Sequence, residues 1–132
     1  MQLAAFRAPA LVGVSGAAAV VLLRLRDPHE SGAYGLCPFL AVTGQPCPGC
    51  GGLRAVNDLA HGQLVAAAGS NVLAVVLVAV LAVAWVLWLV RRARGRIDPM
   101  IVLDRRVGVA VLGVIAVFGV VRMTPWGSWL GP

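Results

Sequence analysis

A run of nineteen residues, 72–90, contains no charged side chain and consists entirely of Ala, Val, Leu and Trp. At 1.5 Å per residue, a helix of this length measures about 28 Å, close to the hydrocarbon core of a bilayer. Hydrophobic residues make up 60% of the 132-residue chain, which leaves too little polar surface to cover a water-soluble globule. The run therefore predicts a transmembrane helix within a single membrane domain over residues 1–132.

Two further apolar runs, 8–23 and 107–121, predict two more transmembrane helices. The first would form a helix of about 24 Å, which Arg7 and Arg24 can extend because their charged ends reach the headgroups. No polar cleavage region follows this run, so we expect an uncleaved anchor and not a signal peptide. The expected fold is an all-α membrane protein with three transmembrane helices.

The charged residues predict the orientation of these helices. All eleven basic residues are arginine, and with five acidic residues they give a net charge of +6. They lie at the ends of the apolar runs and form no basic surface interleaved with aromatics, so we expect the bilayer and not a nucleic acid as partner. Segment 91–106 has six arginines and segment 24–70 has three. The positive-inside rule therefore predicts a cytoplasmic N-terminus and 91–106 segment, and an extracytosolic 24–70 segment and C-terminus.

The three cysteines, Cys37, Cys47 and Cys50, all lie in the segment 37–52. This segment is dense in proline and glycine, which predicts an irregular loop without helix or strand. On the outer face, its thiols are in surroundings that permit disulfides. We expect the loop to be shaped by Pro38, Pro48 and Gly51.

The spacing C-x9-C-x2-C leaves three chemistries open. One disulfide from Cys37 to Cys47 or Cys50 would close a loop of about a dozen residues and add about 3 kcal/mol of stability. A C-P-x-C-G turn is also typical of a zinc site, with Cys37 as third ligand. In a thiol-redox site, Cys50 would have a lowered pKa because a helix begins just after it. The candidates for a fourth zinc ligand are His61, Asp58 and His29.

Apolar residues recur with helical spacing from Leu53, and polar residues occupy the opposite side. This pattern predicts a short amphipathic helix within 36–68 that ends near Gly62 and lies flat on the membrane surface. Arg54 and Asp58 are four residues apart, so we expect them to form a surface ion pair.

Polar and aromatic residues near the ends of the predicted spans also have expected roles. Ser70 or Asn71 can cap the second span. Arg122 ends the third span on the side that the charge rule disfavours, so we expect it to pair with Asp58 or with backbone carbonyls of the cysteine loop. We expect the tail that follows to be an interfacial segment anchored by Trp126 and Trp129.

One set of residues forms a motif: Cys37-Pro38-Phe39, Thr43-Gly44, Pro46-Cys47-Pro48-Gly49-Cys50-Gly51, Arg54-Ala55, Gly62 and Asn71. The motif resembles the small bacterial membrane proteins called the domain of unknown function 2752 family, and so does the closing segment 122–132. The chain departs from the family at three positions, where threonine, an acid and proline are usual: Leu53, Gln63 and Val72. The resemblance implies three or four helices in a bacterial cytoplasmic membrane, and it implies no activity.

Two functions remain open. A non-enzymatic accessory or interaction subunit would use the cysteine-pinned outer loop to dock another membrane protein or a second copy of itself. A metal-binding or thiol-disulfide protein would use Cys37, Cys47 and Cys50, with zinc as the one cofactor suggested. The sequence has no nucleophile–base pair or carboxylate dyad, and its spans have no ionisable residue at mid-depth, so we do not expect an enzyme or an ion pathway. The interaction role is the leading prediction.

Overall fold

The computed structural model describes residues 2–30, 32–35, 37–102 and 104–130, and their regular secondary structure is entirely helical. The prediction of an all-α fold is confirmed. The described residues form five α-helices and one 3₁₀-helix, η1: α1 Gln2–Leu25, α2 Pro38–Thr43, α3 Gly52–Ala60, α4 Leu64–Ala93, α5 Arg105–Arg122 and η1 Pro125–Leu130.

Two of these helices are long and apolar enough to cross a membrane. They are the stretch Phe6–Leu25 of α1, with a mean hydropathy of 1.8, and the whole of α4, with 3.0. Only 11% and 6% of their most apolar windows are buried inside the protein. The core helix of a soluble protein would be mostly buried, whereas these helices expose leucine and valine side chains around most of their circumference.

α4 begins at Leu64 and is interrupted at Asn71, where the backbone leaves the helical region (φ −167°, ψ 100°). The helix therefore consists of a short segment, 64–70, and a long segment from residue 72 onward. Asn71 Oδ1 accepts a hydrogen bond from the Ala74 N–H at 3.0 Å and so caps the long segment. The predicted cap at the start of the second span is confirmed for Asn71.

α1 and α4 run antiparallel and contact each other near the N-terminus of α1. The Trp85 Nε1–H of α4 donates to the Pro9 carbonyl of α1 at 3.0 Å. Gly13 makes room for the indole, because an added Cβ would lie 2.8 Å from its ring. At the opposite end of α1, the Asn57 Nδ2–H of α3 donates to the Leu23 carbonyl at 2.7 Å.

α3 is amphipathic, but its polar side faces the protein. Asn57 and Asp58 are only 5% and 4% exposed, whereas Leu53 is 46% exposed. The expected surface ion pair of Arg54 with Asp58 is wrong, because Arg54 Nε donates to the Pro28 carbonyl at 3.3 Å. The polar side is buried because its side chains meet partners on α1, α4 and the 26–30 turn.

α2 is a helix that the proline and glycine content of the cysteine segment did not predict. It starts at Pro38, and Gly44 directly after its end is in the left-handed conformation with φ 68°. Proline in the first turn and glycine after the last residue are common at helix ends. The expectation of no helix here is wrong, because these residues delimit a short helix and do not interrupt it.

α5 begins after Asp104, whose carboxylate accepts a hydrogen bond from the Arg105 N–H at 2.7 Å. Most of its valine, leucine and isoleucine side chains are exposed. Its C-terminal end packs on η1 and on the cysteine segment. The C-terminal ends of α1 and α5 and the N-terminal segment of α4 therefore meet at the same end of the molecule.

Candidate metal centre

The three cysteine sulfurs converge at this end of the molecule. Cys37 Sγ lies 3.5 Å from Cys47 Sγ, and Cys47 Sγ lies 3.0 Å from Cys50 Sγ. All three atoms are within 4.8 Å of one another, and all three residues are half-buried, free cysteines. A tetrahedral zinc ion with Zn–S bonds of about 2.3 Å holds its sulfurs about 3.8 Å apart. Shifts of about 1 Å would bring this triangle to that geometry.

Cys37 owes its position to α2, which begins at the next residue. Cys37 has an extended backbone (φ −65°, ψ 119°) and is the N-cap residue of α2. The first backbone N–H groups of a helix have no partner within the helix, so they can donate to groups that precede it. The backbone N–H of Leu40 and, less strongly, the Cys47 thiol lower the pKa of Cys37. Cys37 therefore forms a thiolate, the form that binds metals, more readily than an isolated cysteine.

Cys47 and Cys50 are joined by a tight turn. The Cys47 N–H donates to Cys50 Sγ at 3.2 Å, and the Cys50 N–H donates to the Cys47 carbonyl at 3.1 Å. Burial, followed by the neighbouring Cys47 and Cys37 thiols, raises the pKa of Cys50 to about 12. The expectation of a lowered pKa at Cys50 is wrong, because lost solvation outweighs the effect of the nearby helix.

Gly51 connects this turn to α3. Its φ of 78° lies in the left-handed region, which favours glycine, and it directly precedes the first residue of α3. α3 therefore starts two residues after Cys50. The packing of α3 against α4 then holds the turn beside the kink of α4.

Asn71 fixes the turn from the α4 side. Its Nδ2 donates to the Pro48 carbonyl at 2.9 Å and to the Cys50 carbonyl at 3.0 Å. The side chain is 1% exposed, and its Oδ1 is occupied by the cap of α4. One buried amide thus satisfies two loop carbonyls and a helix N-terminus, which ties the turn to α4.

Arg122 fixes the same turn from the α5 side. Its Nη1 donates to the carbonyls of Cys47 at 3.1 Å and Cys50 at 2.7 Å, and its Nη2 donates to the Ser70 carbonyl at 3.5 Å. Two alternative partners were expected for Arg122, Asp58 and the carbonyls of the cysteine loop. The structure shows the loop carbonyls. Close packing accompanies the hydrogen bonds, since a Cβ added to Gly119 would lie 2.7 Å from Pro48 Cγ.

The candidates for a fourth metal ligand have other partners. His29 Nδ1 lies 2.9 Å from the Asp27 carboxylate, and His29 Nε2 lies 3.3 Å from Asp58 Oδ1. His61 Nδ1 lies 2.9 Å from the Asn57 carbonyl. Among the described residues, the group of side chains near enough to share an ion consists of the three cysteines alone. A fourth protein ligand from this set stays a prediction.

The tail and several unanticipated residues complete the site. Trp126 in η1 is 87% exposed, and the side chain of Trp129 lies outside the described part of the structure. The sequence indicated Ser70 only as a possible helix cap and Asn57 only as one of the polar residues of the amphipathic helix, and it did not predict their contacts at this end of the molecule. Nothing in the sequence distinguishes Gly119 from the other glycines of α5.

The fold and the site together define a class: an all-α protein with two helices apolar enough to cross a membrane and a three-cysteine cluster able to hold a metal ion. The family described as "Protein of unknown function (DUF2752)" matches residues 37–85, which contain the cysteine segment, α2, α3 and most of α4. The predicted resemblance to this family is therefore confirmed over residues 37–85. No curated protein and no solved structure matches the chain.

Proposed function

We propose that this chain is a non-enzymatic membrane protein in which Cys37, Cys47 and Cys50 bind one soft metal ion, with zinc as the first candidate. The convergence of three free thiols within 4.8 Å carries the proposal. A disulfide joins only two sulfurs, so the third thiol would lie next to the disulfide bond without a bonding partner. A metal ion uses all three.

The donor set and its surroundings fit a thiolate-bound ion. Zinc, a borderline-soft ion, is commonly bound by cysteine thiolates in four-coordinate sites. The Cys47 N–H that donates to Cys50 Sγ favours the anionic form of that sulfur and offsets part of the effect of burial, which raises the pKa of Cys50. Asn71 and Arg122 hold the carbonyls of the 47–50 turn and so fix its backbone. Three cysteines supply three of four tetrahedral positions, and a water molecule or an outside group would supply the fourth.

We further propose that α5 is a third transmembrane helix and that the cysteine centre faces outward from a bacterial cytoplasmic membrane. With eighteen residues, α5 would be about 27 Å long, and its charged residues lie only at its two ends. Six arginines in 91–106, against three in 24–70, favour a cytoplasmic 91–106 segment. The meeting of three helix ends beside the cysteines agrees with three antiparallel spans and an N-terminus in the cytoplasm.

A docking role is the second candidate, and apolar exposure near the cysteines favours it. Val42 at the end of α2 is 86% exposed, and Phe39 and Leu40 are each 42% exposed. In this role, the metal ion would keep α2 in place as a contact surface for another membrane protein or a second copy of the chain. The ion would then be structural, and the protein would catalyse no reaction.

The experiment is a stoichiometry measurement on protein purified in detergent without chelators. Elemental analysis gives metal per chain, and intact mass after alkylation under denaturing, non-reducing conditions counts free thiols. We expect close to one zinc per chain and three alkylated cysteines, and we expect Cys37→Ser, Cys47→Ser and Cys50→Ser each to lose the metal.

The controls separate this result from a disulfide. Gln63→Ala is the control, because the Gln63 side chain makes no capping hydrogen bond and Gln63 lies outside the cysteine cluster, so the metal content of this variant should equal that of the wild type. A metal-free chain with one alkylated cysteine and a mass lower by two hydrogens would overturn the metal proposal and establish the disulfide.

A further inference from the structure

Arg122 is a buried cation whose partners are neutral. It is 3% exposed, and its three hydrogen-bond acceptors are the backbone carbonyls of Cys47, Cys50 and Ser70. No carboxylate of the described residues lies within 4.0 Å of it, and its buried Nε has no hydrogen-bond partner among them. Phe118 contributes its ring, with the guanidinium carbon 5.9 Å from the ring centroid.

Burial of a charge is costly unless an opposite charge lies nearby. Carbonyl dipoles and one aromatic ring reduce this cost, but they leave a full positive charge in the protein interior. Arg122 donates to the carbonyls of Cys47 and Cys50, whose thiols can become anionic, and it is linked to Asp58 through Ser70, whose Oγ donates to the Asp58 carboxylate. In any cysteine, Sγ lies within about 5 Å of the carbonyl oxygen of the same residue. The guanidinium therefore lies within about 8 Å of the sulfurs of both Cys47 and Cys50.

We propose that Arg122 is the counter-charge of the metal centre and stabilises the −1 centre that a divalent ion forms with all three thiolates. This inference rests on the proposed metal-binding function. Three thiolates carry −3, so a bound divalent ion gives a centre of −1, which the single charge of Arg122 balances. A monovalent ion with three thiolates would give −2 and leave one negative charge uncompensated.

A monovalent ion such as Cu⁺ reaches −1 only if one of the three cysteines stays protonated and does not bind. Both centres then carry −1, so Arg122 balances either of them and disfavours only a monovalent ion that is bound by all three thiolates. Arg122 acts as a positioning residue, because it contacts the carbonyls of two ligand residues and does not itself bind the ion. Removal of its charge should weaken divalent binding, and it should weaken the binding of Cu⁺ by two thiolates to a similar extent.

The test compares two variants at this position with one matched control. Arg122→Gln removes the charge and keeps a hydrogen-bond donor, whereas Arg122→Lys keeps the charge and loses the forked guanidinium. Arg54→Gln is the control, because Arg54 is a part-buried arginine that also donates to a backbone carbonyl, that of Pro28. It removes the same charge from the chain without contact with the 47–50 turn.

The measurement is Co²⁺ and Zn²⁺ affinity of the full chain in detergent, with Co²⁺ absorption as the report of thiolate ligation, and Cu⁺ affinity by chelator competition. We expect Arg122→Gln to lower divalent affinity at least about tenfold, as one partly screened charge at this distance would. We expect a comparable change for Cu⁺, because its two-thiolate centre carries the same −1 charge. Arg122→Lys should retain most of the divalent affinity, and Arg54→Gln all of it.

Equal losses in Arg122→Lys and Arg122→Gln would show that Arg122 acts only as a scaffold, and an unchanged divalent affinity in Arg122→Gln would show that its charge does not contribute. Either result would overturn the inference. Helix content by circular dichroism identifies a misfolded glutamine variant, and retention of divalent binding by Arg122→Lys then decides the question. A wild-type chain that gives no Co²⁺–thiolate absorption would instead remove the proposed metal-binding function itself.

Discussion

The carbonyl oxygens of the 47–50 turn are satisfied by two side chains from distant parts of the chain. Asn71 takes those of Pro48 and Cys50, and Arg122 takes those of Cys47 and Cys50. Both side chains are almost fully buried. At the scale of single residues, the backbone of the turn is therefore held by one side chain at the kink of α4 and one from α5. The sulfur of Cys47 in the turn contacts the sulfur of Cys37.

The thiols should differ in reactivity when the protein is reduced and free of metal. The pKa of Cys37 is lowered and that of Cys50 is raised to about 12, so at pH 8 the Cys37 thiol is deprotonated far more readily than the Cys50 thiol. We expect iodoacetamide to modify Cys37 well before Cys50. As the pH is raised, the modification rate of Cys37 should reach its plateau at a lower pH than the rate of Cys50 does. Peptide mass spectrometry after timed quenching measures both rates, and faster modification of Cys50 at pH 8 would contradict this assignment.

Gly119 should tolerate no side chain, because a Cβ there would lie 2.7 Å from Pro48 Cγ. We expect Gly119→Ala to lower stability by about 1–3 kcal/mol through overpacking against the turn, and to weaken metal retention. Gly113→Ala on the same helix is the control, since its Cβ would meet nothing within 4 Å. Thermal unfolding in detergent compares the variants, and equal melting temperatures for the two would rule out the close contact.

At the scale of helices, the kink at Asn71 divides α4 into two segments with different structural roles. The long segment from residue 72 is the apolar run evident in the sequence, whereas segment 64–70 packs on α3 and brings Ser70 to Asp58, with Ser70 Oγ donating to the carboxylate at 2.9 Å. Asn71 lies between the two segments. Its side chain caps the long segment and donates a hydrogen bond to the cysteine turn.

Asn71→Ala should be strongly destabilising for this reason. It removes a helix cap worth about 1 kcal/mol and leaves the part-buried Pro48 carbonyl without this donor, at a further cost of about 1 kcal/mol. Gln63→Ala is the matched control, because Gln63 precedes α4 but its side chain makes no capping hydrogen bond. Thermal unfolding followed by circular dichroism should give a clearly lower Tm for Asn71→Ala only. A Tm equal to that of Gln63→Ala would show that these hydrogen bonds contribute little.

The sequence predicted these helices where one physical signal dominated. Residues 72–90 are uncharged throughout, and the polar–apolar period of α3 is clear. Prediction failed where tertiary contacts decided the result: the polar face of α3 is buried because Leu23, His29 and Ser70 supply partners, and no local pattern reveals them. α2 was missed because a six-residue helix is too short to show a period. The cysteine cluster was predictable in composition. The contact of Arg122 with the loop carbonyls, across 72 residues, was one of the two pairings expected from the position of Arg122 at the end of the third apolar run.

At the scale of the whole molecule, the charge asymmetry and the meeting of three helix ends lead to one proposed topology. Its test uses single cysteines in a chain whose own three are changed to serine: Val42→Cys, 86% exposed in α2, and Ile97→Cys, 79% exposed in the 91–106 segment. A membrane-impermeant maleimide should label Val42→Cys in intact cells and Ile97→Cys only after permeabilisation. The reverse pattern would place the cysteine centre in the cytoplasm.

The central claim is that one ion is bound by all three cysteines, and X-ray absorption at the zinc edge of the purified, full-length protein tests it most directly. The account predicts three sulfur neighbours at about 2.3 Å and one lighter oxygen or nitrogen neighbour. A spectrum with only oxygen and nitrogen neighbours, or a protein that retains no zinc after purification without chelators, would contradict it.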